Sequence, residues 1–227
     1  VTFNYTTSMD TTDAPQIVDH LSRSLNFTPY EVKWIPQTSK FLLCGEYPKA
    51  TGLIETNQIT KEAQDYREDD HNKGVKSGTF GASPTNHSCY AFVDLEGKLS
   101  VLDLEKQKLF WQAKAHEGIS NCVDGAGAEG CGYGPCELVT GGRDGCVRLW
   151  DPRQNAPVLS LEPVEKELVP DCWSVAYKTS LLRFGNAHNT EERVIASGYD
   201  NGDVKIFDLR QNMLLWETNL KNGVCGL

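Results

Sequence analysis

His116, Thr140 and Asp144 are the side chains that could do chemistry, since an imidazole, a hydroxyl and a carboxylate are the parts of a nucleophilic relay. Acyl transfer would be its reaction. Thr140, however, stands in the apolar run Leu138-Val139-Thr140, mid-strand, and no oxyanion donors are in view. A second candidate is the Gly-x-Gly-x-x-Gly from Gly125 to Gly130. A dinucleotide loop must open a helix whose N-terminus meets the pyrophosphate, and Cys131-Gly132-Tyr133-Gly134-Pro135 cannot. It reads as a long glycine-rich loop. The five histidines are scattered without metal-ligand spacing, and none of the eight cysteines forms a Cys-x-x-Cys. No enzyme, cofactor or metal is expected.

Composition narrows the partners. The 227 residues are 39% apolar and 23% charged, ordinary for a globular chain with a sizeable core. A net charge of -9 argues against nucleic acid, whose phosphates call for clustered Lys and Arg. No stretch suggests a membrane span. Most cysteines fall inside expected strands, so reduced core thiols and a reducing compartment, the cytoplasm, are expected. Asn4, Asn26 and Asn86 begin glycosylation sequons, but no hydrophobic signal segment precedes them.

The elements that position these residues emerge from Glu137 to Arg153. Leu138-Val139-Thr140 and Cys146-Val147-Arg148-Leu149-Trp150 flank Arg143-Asp144-Gly145, which reads as strand, tight turn, strand. The pattern Gly, any, apolar, any, apolar, large apolar, Asp runs from Gly97, Gly145 and Gly202 alike. Each copy has an apolar run after the Asp, at Lys108–Trp111, Val158–Leu161 and Met213–Trp216, and another before the hairpin, at Ser77–Phe80, Ile119–Val123 and Cys172–Tyr177. Four antiparallel strands per repeat, closing on Trp150-Asp151, resemble a blade of a WD40 β-propeller. Such units bury their faces only against neighbours.

In chain order, residues 1–14 are expected to be loose. Pro15–Leu21 reads as a strand completing the last blade, with a short helical turn as the alternative. Blades are expected near 30–68, 76–113, 116–163 and 171–218, and Gly223–Leu227 as the start of a fifth. The first blade reads as degenerate: it lacks the aromatic-Asp ending and reads as shortened after Ile54. Gln58–Asn72 reads as a solvated loop holding at most one strand. Insertions at Glu162–Pro170 and Lys178–Glu192 account for the long fourth repeat. Seven blades need on the order of 300 residues, so residues 15–227 are expected to be the N-terminal part, about four blades, of a seven-bladed ring.

The WD40 resemblance implies a buried hydrogen-bonded tetrad, which only the third repeat can supply: Trp150, Thr140, His116 and Asp144. His116→Ala is expected to destabilise more than His188→Ala. The fourth repeat carries Phe207, Ser197 and Asn201 at the matching places and no His. Further signatures, Asp171–Ala176, Gly185–Asn189, Gly198–Asp203 and Trp216–Cys225, with Gly78–Ala82 and Thr140–Gln154, resemble the Monad family of seven-bladed WD-repeat proteins. That resemblance implies a cytoplasmic adaptor of the co-chaperone assembly of Hsp90, RuvB-like ATPases and prefoldin-like subunits, serving preassembly of axonemal dynein arms, with a link to apoptosis. Trp150-Asp151-x-Arg153, echoed by Phe207-Asp208-x-Arg210, also fits the box by which some WD40 proteins act as substrate receptors of a cullin-RING ubiquitin ligase. An unrelated WD40 scaffold is the third reading. For contact with partners the residue types favour Arg143, Trp173, Tyr199 and Asn222, with Arg153 and Arg210 serving the ligase reading.

Overall fold

The computed structural model describes residues 24–25, 27–47, 50–57, 63–65, 74–82, 89–126, 136–164, 167–180 and 192–227. Among them the chain is all-β, and no helix is long and apolar enough to cross a membrane. Four sheets, each a contiguous antiparallel meander of four strands, follow one another along the chain. The first holds β1 (Thr28–Trp34), β2 (Lys40–Tyr47), β3 (Ala50–Asn57) and β4 (Ala63–Asp65). The second holds β5 (Val75–Thr79), β6 (Cys89–Asp94), β7 (Lys98–Asp103) and β8 (Lys108–Lys114). The third holds β9 (Ser120–Gly125), β10 (Leu138–Gly142), β11 (Val147–Trp150) and β12 (Leu159–Leu161). The fourth holds β13 (Cys172–Ser180), β14 (Glu192–Tyr199), β15 (Asp203–Asp208) and β16 (Met213–Asn219).

Strand alternation explains how the sheets stack. On β6, Tyr90 and Phe92 face the first sheet, in a cluster with Leu42, Cys44 and Val75. Ala91 and Val93 point the other way, joining Val123, Leu138 and Trp150 of the third sheet. On β10, Leu138 serves that cluster, whereas Val139 joins Cys172, Val175 and Ile195 of the fourth sheet. The two middle sheets are thus buried on both faces. Their inner strands therefore read as unbroken apolar runs rather than alternating ones. The first strands touch in sequence, β1 on β5, β5 on β9 and β9 on β13.

The middle hairpins of the last three sheets turn in the same way. The N–H groups of Gly97, Gly145 and Gly202 donate to the carbonyls of Asp94, Gly142 and Tyr199, three residues back. Each glycine is left-handed, Gly145 at φ 68°, as a three-residue hairpin loop requires. An added Cβ at Gly145 would also lie 2.2 Å from Val169 Cγ1.

Several sequence expectations are corrected. The first sheet is not shortened: β3 pairs with β2 along its whole length, from Lys40 opposite Asn57 to Tyr47 opposite Ala50. Backbone pairing alone carries that hairpin, and an aromatic-Asp ending is not needed for it. In the fourth sheet the first two strands run on to Ser180 and resume at Glu192, further than the expected insertion allowed. Gly223–Leu227 forms no strand in the described structure. Residues 1–14, Pro15–Leu21, most of the Gly125–Pro135 loop, and His188 lie outside the described residues.

Candidate functional site

The polar residues of the third sheet form one continuous chain of hydrogen bonds. Trp150 Nε1–H donates to Thr140 Oγ1 at 2.9 Å. His116 Nε2 lies 2.8 Å from the same hydroxyl, and His116 Nδ1 lies 2.8 Å from Asp144 Oδ1. The directions follow from the two ends: an indole only donates and a carboxylate only accepts, so Thr140 passes its proton toward Nε2 and Nδ1–H donates to Asp144. Strand pairing sets the spacing, with Leu138 opposite Trp150 and Thr140 opposite Arg148. His116 reaches the site from the segment before β9, anchored through its backbone N–H to the Gly97 carbonyl at 3.0 Å.

Asp144 is the hub. Beyond the imidazole it accepts the Cys146 N–H at 3.1 Å, the Glu117 N–H at 3.3 Å and Arg148 Nη1 at 2.9 Å. Burial pushes its carboxyl upward, yet the bonds from His116 and Arg148 outweigh that and hold it well below the usual carboxylate range. Arg148 also donates to the Ala115 carbonyl at 2.6 Å and, through Nε, to Ser160 Oγ at 3.2 Å. Sequence reasoning missed Arg148. Its signal was a charge on the same strand face as Trp150, two residues away. Thr140 is fully buried and held on both sides, so no substrate carbonyl can reach its hydroxyl.

The fourth sheet departs at the matching places. The Ser197 hydroxyl is buried and has no hydrogen-bond partner among the described residues. Asn201 Oδ1 still accepts the Asp203 N–H at 3.0 Å, as Asp144 does for Cys146. The turn survives there without the relay.

Ties between sheets were also invisible in the sequence. Asp124 of β9 accepts the Tyr177 N–H of β13 at 2.9 Å and lies 3.3 Å from the donating Thr79 hydroxyl of β5. One carboxylate thus joins three sheets. Glu31 of β1 accepts the Gly78 N–H of β5 at 2.6 Å. Glu137 accepts from both the Tyr177 hydroxyl and the Arg193 guanidinium.

The residues expected to meet partners divide between two ends of the sheets. Arg143, Trp173 and Asn222 share one end: Arg143 Nε is 4.0 Å from Asp171, next to β13, and an added Cβ on Gly223 would touch Trp173. All three are exposed. Tyr199 is a correction, being buried at 7% exposure in the cluster between the third and fourth sheets. Its parity with Ile195 and Ser197 turns it inward. Arg153 and Arg210 lie at the opposite end. Arg153 folds back on Asp151, with Nε at 2.9 Å and Nη2 at 2.5 Å from its carboxylate. Arg210 Nε is 3.7 Å from Asp208.

The described cysteines are free thiols, most of them buried. Burial pushes Cys44 up to about 12 and Cys146 up to about 11, so these two are protonated and inert at neutral pH. Among the described residues no group of His, Cys, Asp and Glu is arranged to hold a metal ion.

Fold and site together define a class: an all-β repeat protein of successive four-stranded antiparallel sheets, consistent with propeller blades, with a buried polar relay locking one repeat. No protein-family model matches the chain. Curated relatives do. The chain is 44% identical over 222 residues to dynein axonemal assembly factor 10 of Homo sapiens, covering 96% of this chain and 60% of the relative. It is 45% identical over 223 residues to the protein of that name from Chlamydomonas reinhardtii, with the same coverage, and 44% identical over 222 residues to that of Bos taurus. The chain is therefore a homologue of dynein axonemal assembly factor 10, and it spans about 60% of the length of these relatives.

Proposed function

We propose that the chain is a non-enzymatic scaffold for protein interactions, acting in the cytoplasmic preassembly of axonemal dynein arms. The observation that carries this reading is the 44 to 45% identity, kept along 96% of the chain, to relatives from a mammal and a green alga that bear the name of dynein axonemal assembly factor. The Hsp90 and RuvB-like co-chaperone assembly is the partner set that fits the resemblance, with dynein arm subunits as clients.

The architecture that suits this role is a WD40-type propeller, the described sheets being about four blades of a seven-bladed ring. Two features support it. The polar relay ties Trp150 to Asp144 within one repeat. The first and fourth sheets each turn an apolar face outward, with Val32 and Trp34 exposed on β1 and Trp216 on β16, which suits further sheets supplied by a chain of the relatives' length. Val224 already begins such packing: its N–H donates to the Tyr199 carbonyl at 3.0 Å, and its carbonyl accepts the Ser174 hydroxyl at 3.1 Å.

Affinity capture of the tagged protein from ciliated cells tests the function. Enrichment of axonemal dynein chains with RuvB-like ATPases and Hsp90 is expected. Recovery of a cullin and its damaged-DNA-binding adaptor instead would favour the ubiquitin-ligase reading, which the engagement of Arg153 by its own Asp151 makes less attractive.

A further inference from the structure

The third and fourth sheets diverge toward their outer strands and leave a groove of about 670 Å3 between the connection that follows β12 and the outer half of the fourth sheet. Its lining is apolar at Leu161, Pro163, Phe207 and Leu214. Two carboxylates stand on opposite walls, each already fixed in place. Glu162 accepts the Ser160 hydroxyl at 3.2 Å, and Ser160 in turn accepts Arg148 Nε, so this wall is an extension of the buried relay. The two oxygens of Asp203 accept the side-chain amides of Asn219 and Asn201, each at 2.8 Å. Neither carboxylate is ion-paired with a described residue. Glu167 adds a third acid, and among the described residues the lining holds one ammonium, Lys205, which lies over the Tyr199 ring at 5.6 Å and also attracts Asp203.

The rim adds a second observation. Val164 and Leu168 are wholly exposed, at 99% and 102%. Leu168 also holds φ at 57°, a left-handed backbone that a leucine adopts only at a cost. Aliphatic side chains exposed to solvent beside an apolar groove, one of them on a left-handed backbone, gain stability once covered.

We propose that this groove binds an extended segment of a partner protein in which Lys or Arg residues flank an aliphatic or aromatic one. The apolar residue fills the space between Leu161 and Phe207 while the cations meet Glu162 and Asp203, whose orientation is fixed before binding. A second copy of this chain is a poor occupant, since its net charge of -9 repels the same acidic walls. This inference rests on the scaffold reading and names the chemistry of one partner.

Fluorescence anisotropy on the 227-residue protein tests it, using a short labelled peptide of Lys, Arg and Leu. The controls are the same peptide with Glu for each cation and with Ser for each Leu. The basic, apolar peptide is expected to bind at least about fivefold tighter than either control, and more weakly as salt is raised. Glu162→Lys with Asp203→Lys is expected to weaken binding about tenfold or more. Val164→Ser with Leu168→Ser changes only exposed side chains, so the fold is kept, and is expected to weaken it about threefold or more. Glu105→Lys, in the β7–β8 turn, is expected to change nothing. Equal binding of the acidic peptide, or equal loss in Glu105→Lys and the groove variants, overturns the proposal. Peptide binding without capture of dynein chains from cells would overturn the assembly reading and leave the groove standing.

Discussion

Thr140 and Ser197 occupy matching positions in successive sheets and differ in their surroundings. Thr140 sits between an indole donor and an imidazole acceptor, whereas the Ser197 hydroxyl is buried beside the Tyr199 side chain with no partner at hydrogen-bonding distance among the described residues. Thr140→Val is therefore expected to cost about 1 to 3 kcal/mol, because Trp150 Nε1–H and His116 Nε2 lose their bonds in a dry interior. Ser197→Ala, which removes an unsatisfied group, is expected to stay within about 0.5 kcal/mol of wild type or to stabilise. Urea midpoints measured side by side decide this, and equal losses would refute the relay. Acid provides a second test. Asp144 is depressed in the folded protein, so the folded state binds fewer protons than the unfolded one. Its contribution is fully present above the ordinary carboxyl range near 3.8 and fades as pH falls below it. Asp144→Asn is expected to flatten the loss of stability between about pH 4 and pH 2 relative to wild type. The four relay residues were legible in the sequence through the WD40 resemblance, which implies such a tetrad and which only the third repeat can satisfy. Arg148 was not, since a charge within a strand normally faces water. Tyr199 was misread because an aromatic residue beside a turn serves equally as anchor or core, and only strand parity separates the two.

Each middle hairpin of the last three sheets depends on a left-handed glycine at its turn. The backbone cost can be separated from the crowding cost. Gly118, at φ 84°, would place a Cβ in open space, whereas Gly145 would drive one into Val169 and the Pro170 carbonyl. Gly118→Ala is expected to cost about 1 to 2 kcal/mol from backbone alone, and Gly145→Ala clearly more. Thermal melts of the two variants test this, and equal shifts would mean that the β12–β13 connection gives way freely. These hairpins were visible in the sequence because a turn glycine and the same alternating apolar residues recur at Gly97, Gly145 and Gly202, with an Asx residue before the last two. The hairpin of β2 and β3 was harder to see, since its backbone pairing extends beyond Ile54 without any aromatic ending to mark the strand. β4, three residues within a polar stretch, has no hydrophobic period to reveal it.

Across the whole molecule, stacking was foreseeable from repetition, but the ties between sheets were not, because they join residues far apart in sequence. Asp124 holds β5 and β13 to β9. Asp124→Ala is expected to speed deuterium uptake at Tyr177 and in β5 together, as read by hydrogen exchange with mass spectrometry. A change confined to β9 would show that the carboxylate bridges nothing. The outward apolar faces at Trp34 and Trp216 are expected to bind a hydrophobic dye, and a chain of the relatives' full length to bind less of it; equal fluorescence would count against their being mating faces. Because each of the four described sheets is one unbroken meander, no strand within them has to wait for a partner translated much later. As synthesis proceeds, each sheet can zip up soon after it leaves the ribosome and then serve as a template for the next. Chains that end at Leu161 and have been released from the ribosome should resist protease through Trp150 although no residue of β13 exists, and the order of synthesis becomes the order of folding.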